Sequence, residues 1–402
     1  MRGLSNDEAA AVERSAGEPM LAQIEAWAAI NSGSHNLAGL DRIAGLLADA
    51  FSALPGETAL REAAPVESVA PSGERVPVRH GRNLHLAVRP GAPVQLLFTG
   101  HMDTVFAADH PFQNLFWRDE GVLGGPGVAD MKGGLAVLLA ALKAVEESPS
   151  IATFGYEVVI NSDEEVGSPG SAALIAAAAR GKHAALTYEP SALPDGTLAG
   201  ARPGSGNFSL IVTGKSAHAG RNPDDGRNAV LAAAELALRL AEAKSEGLSV
   251  NPARIDGGGP NNVVPDHAVL RINMRPAAPA DQEAASAALS EAIAAVSAAR
   301  DVRINMHGGF GRPPKPLDAR AEKLFDLVRR CGAELGQPIA WQASGGVCDG
   351  NNIAACGVPV VDTMGVRGGA IHSADEYLIV ESLAERAQLS ALVLMRLASG
   401  ES

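Results

Sequence analysis

The chain has 402 residues, 46% of them hydrophobic but only 4% aromatic, and a formal net charge of −13. That length can bury a sizeable core and exceeds one typical domain, so two domains are the expectation. The acidic balance argues against nucleic acid or an anionic membrane surface as the main partner, because both call for basic patches.

Three cysteines, Cys331, Cys348 and Cys356, form no disulfide framework and suit a reducing compartment. Residues 1–16 lack the basic-then-apolar profile of a signal peptide. No uninterrupted apolar run reaches the roughly 18 residues of a membrane span. The expectation is a cytoplasmic protein.

In chain order, residues 19–30 and 40–54 have helical apolar spacing. Between 57 and 93, short alternating stretches broken by Gly and Pro predict antiparallel strands at a sheet edge. Residues 94–98 read as a buried strand ended by Thr99-Gly100, 131–145 as a helix and 156–161 as a strand. Residues 171–179 read as a helix and 184–188 as a third strand. This alternation predicts a mainly parallel sheet with helices on both faces.

Near Gly200 the pattern changes to strand 208–213, helix 228–243, strand 249–255, strand 267–274, helix 282–298 and strand 302–306. The order β-α-β-β-α-β is that of a ferredoxin-like α+β unit. Gly311 to Pro316 reads as a hinge back to the first domain. A helix over 321–335, a buried strand over 358–362 and a closing helix over 380–399 follow. The expected division is a catalytic domain over 1–200 and 312–402, with an inserted lid over 201–311.

Polar clusters stand at the strand ends, where open α/β sheets place their sites. They are His101-Met102-Asp103, Asp130 in Gly127-Val128-Ala129-Asp130-Met131-Lys132-Gly133-Gly134, Asp163-Glu164-Glu165-Val166-Gly167, and Glu189; His372 follows far downstream. Together they supply two imidazoles and three ligand carboxylates, with one Glu to spare. That inventory suits two zinc ions bridged by Asp130, since imidazoles shift the choice away from magnesium or calcium. Two such ions about 3.5–4 Å apart activate a shared water and polarise a carbonyl. One of the adjacent Glu164 and Glu165 can bind metal while the other takes a proton. Taken singly, each cluster has a blander reading: a packed histidine at 101, a helix N-cap at 130, a solvated turn at 164–165.

These clusters, with Thr99-Gly100-His101-Met102-Asp103-Thr104-Val105 at their head, resemble the signatures of the zinc metallopeptidases related to glutamate carboxypeptidase. That family includes carboxypeptidase G, acetylornithine deacetylase, succinyl-diaminopimelate desuccinylase and aminoacylases. The resemblance implies His101, Asp130 and Glu189 at one zinc, and Asp130, Glu165 and His372 at the other, with Co2+ or Mn2+ able to substitute. It implies Glu164 as general base and Asp103 as the residue that orients His101. Thr213-Gly214-Lys215-Ser216-Ala217-His218-Ala219-Gly220 resembles the lid motif whose histidine reaches the partner subunit's site in a homodimer, which gives His218 the oxyanion. Asn262 and Arg275 fall on segments that bind a substrate carboxylate; without the resemblance, His218 reads as a surface loop residue and Arg275 as a sheet-face charge. One departure is Cys348, in Gly345-Gly346-Val347-Cys348-Asp349, where relatives carry Ser or Thr. It reads as a packed or pocket-lining thiol.

The implied activity is hydrolysis of an amide bond next to a free carboxylate, as an exopeptidase on short and possibly acidic peptides. The alternatives are an N-acyl-amino-acid deacylase, a di-zinc aminopeptidase, and a catalytically silent binding protein that kept the fold. The long interval from Glu189 to His372 leaves room for a lid that compact aminopeptidases lack, and the presence of Glu164 speaks against silence.

Overall fold

Six strands build the central sheet of the computed structural model, which describes residues 3–148, 151 and 154–401. Their order in space is Glu57–Arg61, Asn83–Val88, Phe154–Asn161, Val94–His101, Ala184–Thr187 and Val360–Val361. The last four run parallel, and the first two add an antiparallel edge. Val94–His101 lies inside the sheet and is buried from Leu96 onward. A strand covered on both faces is a continuous apolar run, which is how 94–98 reads in sequence. It runs further than its apolar letters suggest: His101 pairs with Asn161 and is itself the last residue of the strand.

The helix Gly134–Glu146 is buried along almost its whole length and packs beside Glu381–Ala398 and Asn6–Ala16. Asn6–Ala16 lies in the segment read above only as lacking a signal-peptide profile. Its buried positions, Glu8, Ala11, Val12 and Ser15, share one face at helical spacing, and Ser5 and Glu8 form a capping box that starts it. The helix expected from residue 131 begins regular winding only at Gly134. Before it, Val128–Gly133 make an irregular turn in which Asp130 (φ −113°, ψ 88°) is not helical. Asp130 is therefore no N-cap, and its carboxylate faces elsewhere.

The inserted α+β unit carries four antiparallel strands in the order Leu248–Gly257, His267–Pro276, Ser205–Thr213, Arg303–Arg312. Helices Ala229–Glu242 and Pro279–Arg300 cover one face and share a core with Leu210, Leu270 and Ile272. Alternation along His267–Pro276 puts Arg271, Asn273 and Arg275 on the other face. Where the chain leaves and re-enters the first unit, Arg202 and Lys315 pair backbone to backbone, and both side chains bond to Asp362. Among the described residues no helix is long and apolar enough to cross a membrane.

Candidate metal centre

His101, buried at the end of its strand, places Nε2 3.0 Å from Asp130 Oδ1 and 3.7 Å from Glu189 Oε2. Its Nδ1 lies 3.0 Å from the Asp103 carbonyl oxygen and 3.4 Å from Asp103 Oδ1. With Nδ1–H donating to these oxygens, Nε2 is the atom that faces the cluster, the one a metal would take in place of its proton. On the other side, His372 Nε2 is 3.3 Å from Asp130 Oδ2 and 3.1 Å from Glu165 Oε2. Asp130 thus turns one oxygen toward each imidazole. His372 holds φ at 63°, in the left-handed region that residues other than Gly seldom adopt outside functional sites.

Glu164 and Glu165 follow the strand Phe154–Asn161 on the single turn Glu164–Val166. The Asp103 carboxylate accepts the amides of Glu164 (3.1 Å) and Glu165 (3.2 Å) and the Ser34 hydroxyl (2.7 Å). The carbonyl of Asp103 is thus the nearer acceptor for His101, while its carboxylate fixes the glutamate turn. Glu189 is the second residue after the strand Ala184–Thr187.

The electrostatics show a deficit of positive charge. Burial raises the Glu164 carboxyl well above its ordinary range, against the pull of Arg312, and raises Glu165, with Asp130 adding to it. Burial likewise lifts Glu189 to about 7. Burial also works against the Asp130 anion, yet hydrogen bonds from His101 and His372 hold it below the usual carboxylate range. Hydrogen bonds to Asp130 and Glu165 lift the His372 imidazole to about 11. Burial opposes charge on His101, but Glu189, Asp103 and Asp130 raise it well above its ordinary value.

Four buried carboxylates thus face two imidazoles, and protons have to serve as the missing cations. Divalent ions answer that demand directly. Donor atoms of His101, Asp130 and Glu165 all lie within 4.8 Å of one another, and so do those of His101, Glu164 and Glu189. The residues fit a divalent metal centre.

A cavity of about 310 Å³ opens beside the cluster, bounded also by Arg202, Ser344, Gly346, Cys348 and Thr363. The Cys348 thiol is buried, and burial pushes it well above its ordinary value, so it lines the cavity as a neutral thiol. Arg275 is exposed; its Nη1 donates to the Gly345 carbonyl at 3.4 Å and its Nε to Asn273 at 3.1 Å, which sets it near the wall of this cavity. His218 and Asn262 lie side by side on the inserted unit, where His218 pairs with Val263 and the Ala219 amide donates to the Asn262 carbonyl. Both are exposed, and the hydrogen bonds of the His218 ring stay within its own turn, from the amides of Gly220 and Arg221.

Two residues at the centre escaped the sequence reading. Arg312 Nη2 lies 2.6 Å from Glu164 Oε1 and donates to the Glu164 carbonyl at 2.8 Å. Its flanking Gly and Pro residues signal only a hinge. Glu376 accepts three amides of the Asp130 turn. An Asp-Glu pair before a short strand looks like a solvated turn, and no sequence signal marks it otherwise.

A mainly parallel α/β sheet that gathers two imidazoles and four carboxylates at its strand ends, with an α+β unit inserted between them, defines a metal-dependent peptidase or amidohydrolase. The family model for peptidase family M20/M25/M40 matches residues 97–396, and the chain belongs to that family. Carboxypeptidase G2 of Pseudomonas sp. (strain RS-16) is 31% identical over 331 residues, 80% of this chain and 78% of its own. A succinyl-diaminopimelate desuccinylase of Psychrobacter sp. (strain PRwf-1) is 27% identical over 329 residues, 75% of this chain and 79% of its own. A solved dinuclear metal-binding peptidase of the M20 family from Bacillus subtilis shares the fold at TM-score 0.64 and 14% identity, over 94% of this chain and 97% of that one.

Proposed function

We propose that the chain is a two-zinc exopeptidase that cleaves the amide bond next to a free carboxylate, with short acidic peptides as the substrate class. One observation carries this reading: the two oxygens of Asp130 face two imidazoles, at 3.0 Å and 3.3 Å, beside a buried glutamate. His101, Asp130 and Glu189 would hold one ion, and Asp130, Glu165 and His372 the other. When bound, the ions supply the Lewis acid for the scissile carbonyl and make water a stronger acid. Nitrogen donors favour zinc over magnesium or calcium, and Co2+ or Mn2+ would substitute.

The protein's own groups do the rest. Glu164, buried beside the centre, takes the proton of the attacking water and returns it to the leaving amine nitrogen. Arg275 pairs with the substrate carboxylate through its planar fork, and Asn262 assists. His218 serves the partner subunit's site in a homodimer, donating to the oxyanion, and the inserted unit acts as the lid over residues 201–311. Three unpaired cysteines support a cytoplasmic setting.

An N-acyl-amino-acid deacylase is the second reading, favoured by the desuccinylase relative. Glu164→Gln separates a working centre from a silent one. The variant keeps its metal, and kcat falls roughly 10²–10⁴-fold; undiminished turnover would remove Glu164 from the chemistry. A panel of dipeptides against N-acyl amino acids on the parent protein then decides between the two substrate classes.

A further inference from the structure

The metal ligands Asp130 and His372 come from distant parts of the chain, and each sits on irregular backbone. Asp130 lies in the non-helical turn 128–133, and His372 in a loop at positive φ. Neither is held by a regular strand as His101 is. Something else has to set the distance between them.

Glu376 joins the two loops. It lies four residues after His372 and is 1% exposed. Its Oε2 accepts the Gly127 amide at 3.1 Å, and its Oε1 accepts the amides of Ala129 and Asp130, each at 3.0 Å. Its backbone carbonyl also accepts the Gly125 amide at 3.2 Å. The next residue, Tyr377, pairs with Gly124 where the strands Val122–Gly124 and Tyr377–Ile379 run antiparallel. One residue, 246 positions from Asp130, therefore satisfies four amides of the turn that presents the bridging carboxylate.

The chemistry of the acceptor matters. Three N–H groups converge on one side chain, and an ionised carboxylate offers only acceptors. A glutamine there would offer one acceptor oxygen and turn an NH2 group toward backbone donors. Buried amides left without partners would pull the turn out of place. Lys132, buried on the same turn, donates to the Ile30 carbonyl at 3.2 Å.

We infer that Glu376 is a positioning residue: by holding amides 125–130 it fixes Asp130 against His372 and so sets the geometry of the second metal position. The inference rests on the metal-centre reading above. Its effect falls most on the ion held by Asp130, Glu165 and His372, because two of that ion's ligands sit on the loops Glu376 joins, whereas the other ion shares only Asp130 with them and His101 ends its own strand.

The test is Co2+ binding to the full-length protein, followed by equilibrium dialysis and by the visible absorption of bound Co2+. The parent is expected to bind two ions. Glu376→Gln should bind the second ion roughly 10–100-fold more weakly, the range typical of outer-sphere partners, and its second-ion absorption should shift. Glu376→Asp, which keeps the charge but is one methylene shorter, should restore much of that affinity. Melting of the metal-free proteins separates positioning from folding: the variants are expected to melt cooperatively at a lower temperature than the parent and to remain folded where Co2+ binding is measured. A Glu376→Gln protein that binds two Co2+ as tightly as the parent overturns the inference, as does a Glu376→Asp no better than Glu376→Gln. A parent that binds no Co2+ would instead bring down the metal centre, and this role with it.

Discussion

Asp103 shows how one side chain can look alike in sequence and work differently in space. His-x-Asp suggests a carboxylate behind the imidazole, yet the closer partner of His101 Nδ1 is the Asp103 carbonyl at 3.0 Å, with the carboxylate oxygen at 3.4 Å. The carboxylate is committed to the amides of Glu164 and Glu165 and to Ser34. Asp103→Asn leaves one oxygen for three donors, and each orphaned buried donor costs about 1–3 kcal/mol. The variant should keep the ion at His101, because the carbonyl still orients the ring. Its kcat should fall roughly 10–100-fold as the glutamate turn shifts. Metal analysis beside steady-state rates checks this, and loss of the His101 ion would return the orienting role to the carboxylate.

Among the elements, the helix Gly134–Glu146 is a long, nearly continuous apolar run in sequence, but its first turn is set by a neighbour. A Cβ on Gly134 would stand 1.9 Å from the Tyr188 carbonyl oxygen, so glycine is required for helix and strand end to meet. Tyr188 directly precedes Glu189, which ties this close approach to the centre. Gly134→Ala should cost about 2–3 kcal/mol, read as a lower urea midpoint at unchanged m, together with weaker metal binding. Asn6–Ala16 gives the opposite lesson. Its capping box and its amphipathic spacing are both legible, and its buried face meets the helix Glu381–Ala398.

At the scale of the whole molecule, the two crossings between the units meet on one buried carboxylate. Asp362 is 0% exposed; Arg202 Nε lies 2.8 Å from its Oδ2 and Lys315 Nζ 2.9 Å from the same oxygen. Burial raises the Asp362 carboxyl, but Arg202 and then Lys315 hold it below its ordinary 3.8. A depressed folded pKa means stability that is present above pH 3.8 and lost as pH falls through the folded value. Asp362→Asn strands two buried cations and should cost about 3–5 kcal/mol at neutral pH. Urea unfolding across pH 5 to 2 should show the parent losing this contribution below pH 3.8 and the variant lacking that acid limb. Equal stabilities at pH 7 would mean that the crossings are held by other contacts.

The residue types and their order along the chain determined the alternating sheet, the inserted α+β unit and the residues of the candidate centre. Periodicity, glycine placement and polar clusters after apolar runs are local properties that each segment carries alone. Tertiary structure alone decided that Asp130 faces both imidazoles and that the Asp103 carboxylate serves the glutamate turn. It also decided that Arg312 meets Glu164 and Glu376 gathers the Asp130 amides. Those contacts join segments far apart in the chain through buried charges and backbone amides. A backbone amide has no residue letter, and a charge shows its partner only after the fold has removed it from water.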